Sequence, residues 1–190
     1  MPANWRPPTG PHPAPVFVPA RSRLAFQAKR VVRRLPPLSG PPIRLFGAAG
    51  LHHHGREAHA GAFLRERSIA FNCTAREFPR ICVHELFHFA WMRLGNPRRR
   101  SYEDILRKEI AAGARGELGW SAEWRKEKLT AKDVQDRSRF WLEYCCESFC
   151  DTAAWLYSGV REHDEFMLAG RFRERRRAWF GGITRLPLLI

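Results

Sequence analysis

The sequence predicts an α+β fold in which a few short strands precede a run of helices. Strand-like stretches fall between residues 43 and 72. From residue 78 onward, apolar side chains recur at helical spacing and are separated by capping residues and glycines. Strands that precede helices, rather than alternating with them, indicate this class. We therefore expect a small, few-stranded sheet and a helix-rich C-terminal half.

The N-terminal region differs in composition from the rest of the chain. Residues 1–20 hold seven of the fourteen prolines, so we expect an extended, unstructured leader. A chain of 190 residues fits one domain, and residues 21–190 are expected to form it. The domain should open with a basic amphipathic helix over residues 22–35, whose apolar stripe comprises Leu24, Ala28, Val31 and Leu35.

Short strands are expected next. Residues 43–46 form one candidate, and a glycine- and histidine-rich loop follows over residues 47–61. Residues 62–72 favour one or two strands. The more convincing of these is the Ser-Ile-Ala-Phe stretch at residues 68–71.

Helical patterns fill the remainder. Pro79 suits the first turn of a helix over residues 78–94, which Gly95 and the proline at position 97 should end. Further helices are expected over residues 101–112 and 138–157 and once within residues 161–190, with short pieces capped by Ser121 and Thr130.

The composition of the chain limits the classes of protein to which it can belong. The net charge is +14, yet only five of the 33 cationic residues are lysine. This balance fits an anionic partner such as a nucleic acid, and it equally fits a GC-rich coding background that replaces Lys by Arg. No stretch approaches the roughly 20 apolar residues of a membrane span. Five cysteines, two of them adjacent, do not indicate a disulfide framework, so we expect a cytoplasmic protein that makes no contact with membranes.

One helix carries a His-Glu-x-x-His motif, formed by His84, Glu85 and His88. Four residues are slightly more than one helical turn, so both imidazoles lie on one face and can bind one ion. Zinc accepts imidazole nitrogen. Glu85 is rotated by about 100° and can reach a water beside the ion without being a ligand. The surrounding residues are apolar, and three buried ionisable groups would be costly without a shared cation.

A second helix carries acidic residues at helical spacing. Glu143, Glu147 and Asp151 recur every four positions on one stripe of residues 138–157. The rest of this helix is crowded with aromatic and aliphatic side chains, so the stripe is not a solvated face. These carboxylates are expected to face a cation or hydrogen-bond donors.

The two motifs together resemble the gluzincin metallopeptidases, which place HExxH on one helix and Glu-x-x-x-Asp on a later one. The resemblance covers about residues 62–158. It implies a zincin-like fold, in which the HExxH helix and a second ligand-bearing helix pack on a small sheet. It also implies that the strand at residues 68–72 is the edge strand, holding an extended peptide beside the metal.

Residue by residue, the resemblance implies one Zn²⁺ ion held by His84, His88 and Glu147. Glu85 would be the catalytic general base, and Asp151 would orient a ligand histidine through its other ring nitrogen. Glu143 is an alternative metal ligand, because Glu143 and Glu147 share the same spacing.

The favoured function is a zinc metallopeptidase acting on a peptide or protein substrate. One alternative is a non-catalytic structural zinc protein, although Glu85 is not needed for ligation. The other is a basic nucleic-acid-binding protein with an incidental motif, for which residues 98–100 and 171–177 provide arginine clusters.

Two features stay open at this point. Peptidases of this type add a group that stabilises the developing oxyanion, and Tyr157 and His163 are the downstream candidates. The loop histidines His52, His53 and His54 are either further metal ligands or an adventitious tract.

Overall fold

The described residues, 17–19, 22–48, 50–53 and 56–190, contain seven helices and a small mixed sheet in this computed structural model. The α+β class and the helix-rich C-terminal half are therefore confirmed. The expected leader over residues 1–20 lies outside the described residues except for 17–19, and His54 also lies outside them. In chain order the elements are β1 (Phe17–Pro19), α1 (Ser22–Val32), β2 (Leu38–Ser39), β3 (Ile43–Gly47), β4 (His52–His53), β5 (Arg56–Glu57), β6 (Ala60–Phe63), β7 (Ser68–Phe71), α2 (Phe78–Arg93), α3 (Asn96–Ala111), α4 (Trp120–Lys126), α5 (Ala131–Asp136), α6 (Arg139–Tyr157), α7 (Gly170–Ile183) and β8 (Leu188–Leu189).

The main sheet has the strand order β1-β3-β7-β6. Its first three strands are parallel, and β6 runs antiparallel to β7. Two smaller pairs, β2 with β8 and β4 with β5, lie outside this sheet. Helix α2 contacts both β6 and β7, so the sheet forms one wall beside the HExxH helix.

The expected edge strand at residues 68–72 is wrong. Strand β7 lies between β3 and β6, and all four of its residues are buried. The chain reverses in a turn over residues 64–67, so the preceding strand folds onto the outer side of β7. One edge strand of the described sheet is therefore β6, whose residues are half-buried or exposed, and β1 is the edge strand on the other side.

Half of the residues of helix α2 are buried, and the helix packs along α6. It begins with Pro79 in its first turn, as the sequence indicates. Gly95 has φ +77°, a left-handed conformation that favours glycine, and it separates α2 from α3. Helix α3 then begins at Asn96 rather than near Ser101, because Pro97 fits a first turn and follows directly.

Capping explains the shorter helices. Thr130 forms a full capping box with Asp133 at the start of α5. Ser138 accepts a hydrogen bond from the backbone of Trp141 at the start of α6. Helix α4 begins two residues earlier than expected, with Gly119 rather than Ser121 at its N-cap.

A buried ion network ties α7 to the rest of the domain. The fully buried Arg176 lies 2.6 Å from Glu109 on α3 and 2.7 Å from Glu117. The Tyr144 hydroxyl on α6 donates to Glu117 at 2.5 Å. Because Glu117 stands just before α4, these contacts fix where that helix lies over α6. No helix among the described residues is both long and apolar enough to cross a bilayer.

Candidate metal centre

Helix α2 presents two imidazoles to one point. His84 and His88 lie one turn apart, and their Nε2 atoms are 3.3 Å apart. A carboxylate oxygen of Glu85 lies within 4.8 Å of a nitrogen of each ring. All three side chains are half-buried, because the rest of α2 packs into the core. The motif is therefore partly shielded from bulk solvent.

Helix α6 supplies the third group. Glu147 Oε2 lies 3.2 Å from Nε2 of His84 and 4.0 Å from Nε2 of His88. A tetrahedral zinc ion with bonds of about 2.0–2.1 Å holds its ligand atoms about 3.4 Å apart. Two of the three separations, 3.3 and 3.2 Å, are close to this value, and the third, 4.0 Å, is longer. Two imidazoles with one carboxylate would leave a fourth position open.

Asp151 lies behind His84. Its Oδ1 is 2.7 Å from Nδ1 of His84, and its Oδ2 accepts a hydrogen bond from the backbone of Ala122 at 3.0 Å. With its proton on Nδ1, a neutral His84 ring would keep the lone pair of Nε2 available to a metal ion. Both oxygens of this buried carboxylate are therefore used, one to orient His84 and one to hold the first turn of α4.

The electrostatics favour a cation at this point. Burial opposes a charge on His84, but the carboxylates of Asp151 and Glu147 outweigh it and raise the pKa of His84 well above its ordinary value. Burial likewise opposes the charge of Glu147, but the hydrogen bond with His84 and the charges of His88 and Arg125 lower its pKa to about 2. A carboxylate that stays ionised beside two basic rings attracts positive charge.

The second histidine has a sulfur partner. Cys146 Sγ lies 3.4 Å from Nδ1 of His88. A hydrogen bond from Cys150 lowers the pKa of the Cys146 thiol, and the charge of His88 acts in the same direction. No sequence motif marks the cysteines, although Cys146 directly precedes Glu147 and shares a helix face with Cys150. The Cys146 thiol therefore contacts Nδ1 of His88 in the same way that the Asp151 carboxylate contacts Nδ1 of His84.

Two residues of the α4 region were missed by the sequence reading. A Cβ on Gly119 would come within 3.0 Å of all three atoms of the Asp151 carboxyl group. The Arg125 Nη2 atom lies 3.5 Å from Glu147 Oε1. No local motif marks either residue, because each acts through a contact with α6 that is distant in sequence.

Several sequence candidates lie away from the histidines. Glu143 forms an ion pair with Arg139 at 2.8 Å and is half-exposed. Tyr157 stacks on Phe87, with ring centroids 5.7 Å apart. His163 Nε2 lies 3.4 Å from Glu77, and its Nδ1 accepts a hydrogen bond from the backbone of Glu165. The backbones of His52 and His53 form β4, which pairs with β5.

Comparison with family models, with curated proteins and with solved structures found no match for this chain.

Proposed function

We propose that this protein is a zinc-dependent metallopeptidase of the gluzincin type, with a zincin-like fold. The observation that carries the proposal is the convergence of His84, His88 and Glu147 from two helices at the spacing of a zinc site. Asp151 behind His84 supports it, because ligand histidines are regularly held in this way by a carboxylate.

The sheet offers a place for the substrate. Strand β6 is an edge strand that contacts α2, the helix bearing the histidines. An extended peptide can pair with such an edge through backbone hydrogen bonds and run beside the metal ligands. A peptide or protein is therefore the substrate class that we propose.

Each residue then has a defined task. His84, His88 and Glu147 would hold a zinc ion, which would supply a Lewis acid that activates water near neutral pH. Glu85 takes a proton from the attacking water and passes it to the leaving amine nitrogen as the C–N bond breaks. Asp151 keeps His84 in the tautomer that presents Nε2. Glu85 lies close to both rings but is not needed as a ligand, which favours catalysis over a structural site.

Metal analysis of the purified protein and a Glu85→Gln variant tests the proposal. We expect about one zinc per chain in both proteins. Hydrolysis of a quenched-fluorescent peptide library should fall by about 10²-fold or more in the variant, which lacks the general base. Chelation should abolish the activity of the parent, and added zinc should restore it.

The alternative results separate the rival functions. A parent protein that binds no zinc would overturn the site. An equally active variant would overturn the role of Glu85. If both proteins bind zinc and neither hydrolyses any peptide, the site is a structural one.

A further inference from the structure

Peptide hydrolysis places negative charge on the carbonyl oxygen of the scissile bond, and a donor beside the metal is needed to share it. Both candidates from the sequence are engaged elsewhere: Tyr157 stacks on Phe87, and His163 contacts Glu77 and Glu165. We propose, on the basis of the proposed function, that Arg125 on α4 is the catalytic residue that binds this oxygen.

The first support is position. The Arg125 guanidinium lies 3.5 Å from Oε1 of Glu147, while the other oxygen, Oε2, is the one beside His84. A substrate carbonyl beside the three ligands would therefore lie close to this guanidinium. The Arg125 side chain is 18% exposed, so its charge is only partly screened by water and acts more strongly than it would at the surface.

The second support is that one edge of the Arg125 guanidinium has hydrogen-bond donors that are available to a ligand. Nη1 of Arg125 donates to the backbone oxygen of Ser121 at 2.7 Å. Nε is buried and has no hydrogen-bond partner among the described residues. Nε and Nη2 form one edge of the guanidinium, and this edge can donate two parallel hydrogen bonds. Its only close anionic neighbour among the described residues is the Glu147 oxygen, at the long distance of 3.5 Å.

The third support is preorganisation. The guanidinium lies over the Trp124 ring, 4.4 Å from its centroid. Stacking and the bond to Ser121 fix the plane of the guanidinium before any substrate arrives. A fixed donor needs no reorganisation as charge develops, so it binds the transition state better than the neutral carbonyl. Arg125 keeps all its protons throughout and only donates hydrogen bonds.

Variants of Arg125 test this role, with Lys128→Gln as the matched control. Lys128 also lies over the Trp124 ring, with Nζ 4.6 Å from its centroid, but its side chain is exposed and forms no ion pair with Glu147. Zinc content, kcat and KM are measured for the parent, Arg125→Gln, Arg125→Lys, Arg125→Ala and Lys128→Gln, with Arg125→Ala also assayed in the presence of guanidinium ions. Binding of a phosphonate dipeptide, a stable tetrahedral anion, is measured by calorimetry on the same zinc-loaded proteins.

We expect kcat of Arg125→Gln to fall by about 10²–10³-fold, the usual effect of removing one such donor. KM and zinc content should stay near parental values, and phosphonate binding should weaken by at least about tenfold. Arg125→Lys should recover part of the loss, and guanidinium ions should partly rescue Arg125→Ala. Lys128→Gln should match the parent.

The other outcomes overturn the proposal or separate it from the proposed function. Loss of zinc from Arg125→Gln would show that Arg125 merely supports Glu147, and unchanged kcat and phosphonate binding would remove any role. If the parent binds the phosphonate through Arg125 but hydrolyses no peptide, Arg125 is still an anion-binding residue, and only the peptidase proposal fails. A parent that neither hydrolyses peptides nor binds the phosphonate would overturn both.

Discussion

Gly119 lies directly against the carboxyl group of Asp151, with no room for a side chain between them. The backbone of Gly119 is extended, with φ −178° and ψ 155°, so any residue could adopt its conformation. Space, rather than backbone strain, therefore selects glycine. The contact lets the start of α4 approach α6 closely enough for the backbone of Ala122 to donate to Asp151.

Replacing Gly119 by alanine should therefore disturb the metal centre. The new Cβ would displace the Asp151 carboxylate from His84, and loss of such a partner typically weakens metal binding by about 10–100-fold. Overpacking should also lower the free energy of unfolding by about 1–3 kcal/mol. Zinc affinity is measured by competition with a chelating dye, and stability by urea unfolding of the metal-free protein.

Gly181→Ala is the matched control. Gly181 lies on α7, and a Cβ there would meet nothing within 4 Å. Zinc affinity should stay at the parental value, and stability should be unchanged or up to about 1 kcal/mol higher because alanine favours helix. Parental zinc affinity in Gly119→Ala would contradict the steric argument.

Local sequence signals predicted helices α2 and α6 well. The apolar pattern of α2, with Pro79 at its start and Gly95 after its end, depends on neighbours in sequence. Carboxylates at four-residue spacing on an apolar helix also predict a cation or hydrogen-bond donors beside them, because burying these groups without partners would be costly. These signals placed Glu147 and Asp151 on one face before any tertiary contact was considered.

Contacts between distant segments were not predictable in this way. The order of β6 and β7 depends on how a turn folds one strand over another, and both strands have similar local patterns. Gly119 and Arg125 gain their roles only where α4 meets α6. Their residue types carry no periodic signal, since one glycine or arginine in a loop-rich stretch fits many structures.

The choice between two acidic residues gives a direct test of the ligand set. Glu147→Gln should weaken zinc binding by more than about 100-fold, because the Glu147 carboxylate oxygen lies 3.2 Å from Nε2 of His84 and would be a direct ligand. This loss exceeds the about 10–100-fold expected from removing a residue that only holds a ligand in place. Glu143→Gln should keep zinc affinity, since Glu143 pairs with Arg139. Its exposed pair should change stability by at most about 1 kcal/mol. The reverse ranking of zinc affinities would make Glu143 the ligand.

Cys146 should act as a positioning residue for His88. Cys146→Ala removes the group 3.4 Å from Nδ1 of His88, and we expect zinc affinity to fall by about 10–100-fold. Cys146→Ser keeps a hydrogen-bond acceptor and should lose less. The control is Cys145→Ala, which removes a neighbouring core thiol and should lower stability without changing zinc affinity. Equal affinities for the alanine variants at 145 and 146 would exclude the positioning role.

The buried pair of Glu117 and Arg176 should make stability depend on acid pH. Burial alone would raise the pKa of Glu117, but the charge and hydrogen bonds of Arg176 outweigh it and lower the pKa below the ordinary value of 4.5. A carboxyl group whose pKa is depressed by folding stabilises the protein fully above its unfolded pKa. That contribution is lost as the pH falls through the folded pKa. The parent should therefore lose this stabilisation only below about pH 4.5.

Glu117→Gln should remove the stabilisation that the ion pair between Glu117 and Arg176 provides at neutral pH. Breaking a buried pair typically costs about 3–5 kcal/mol, and the gap between parent and variant should narrow as the pH falls below 4.5. Urea unfolding with a chelator present, from pH 7 down to about pH 3, measures the gap without a contribution from zinc release. Glu174→Gln breaks the exposed pair with Arg177 and should change stability by at most about 1 kcal/mol at any pH. A gap that stays constant over this range would mean that the Glu117 charge makes no pH-dependent contribution, and that only its shape and hydrogen bonds stabilise the fold.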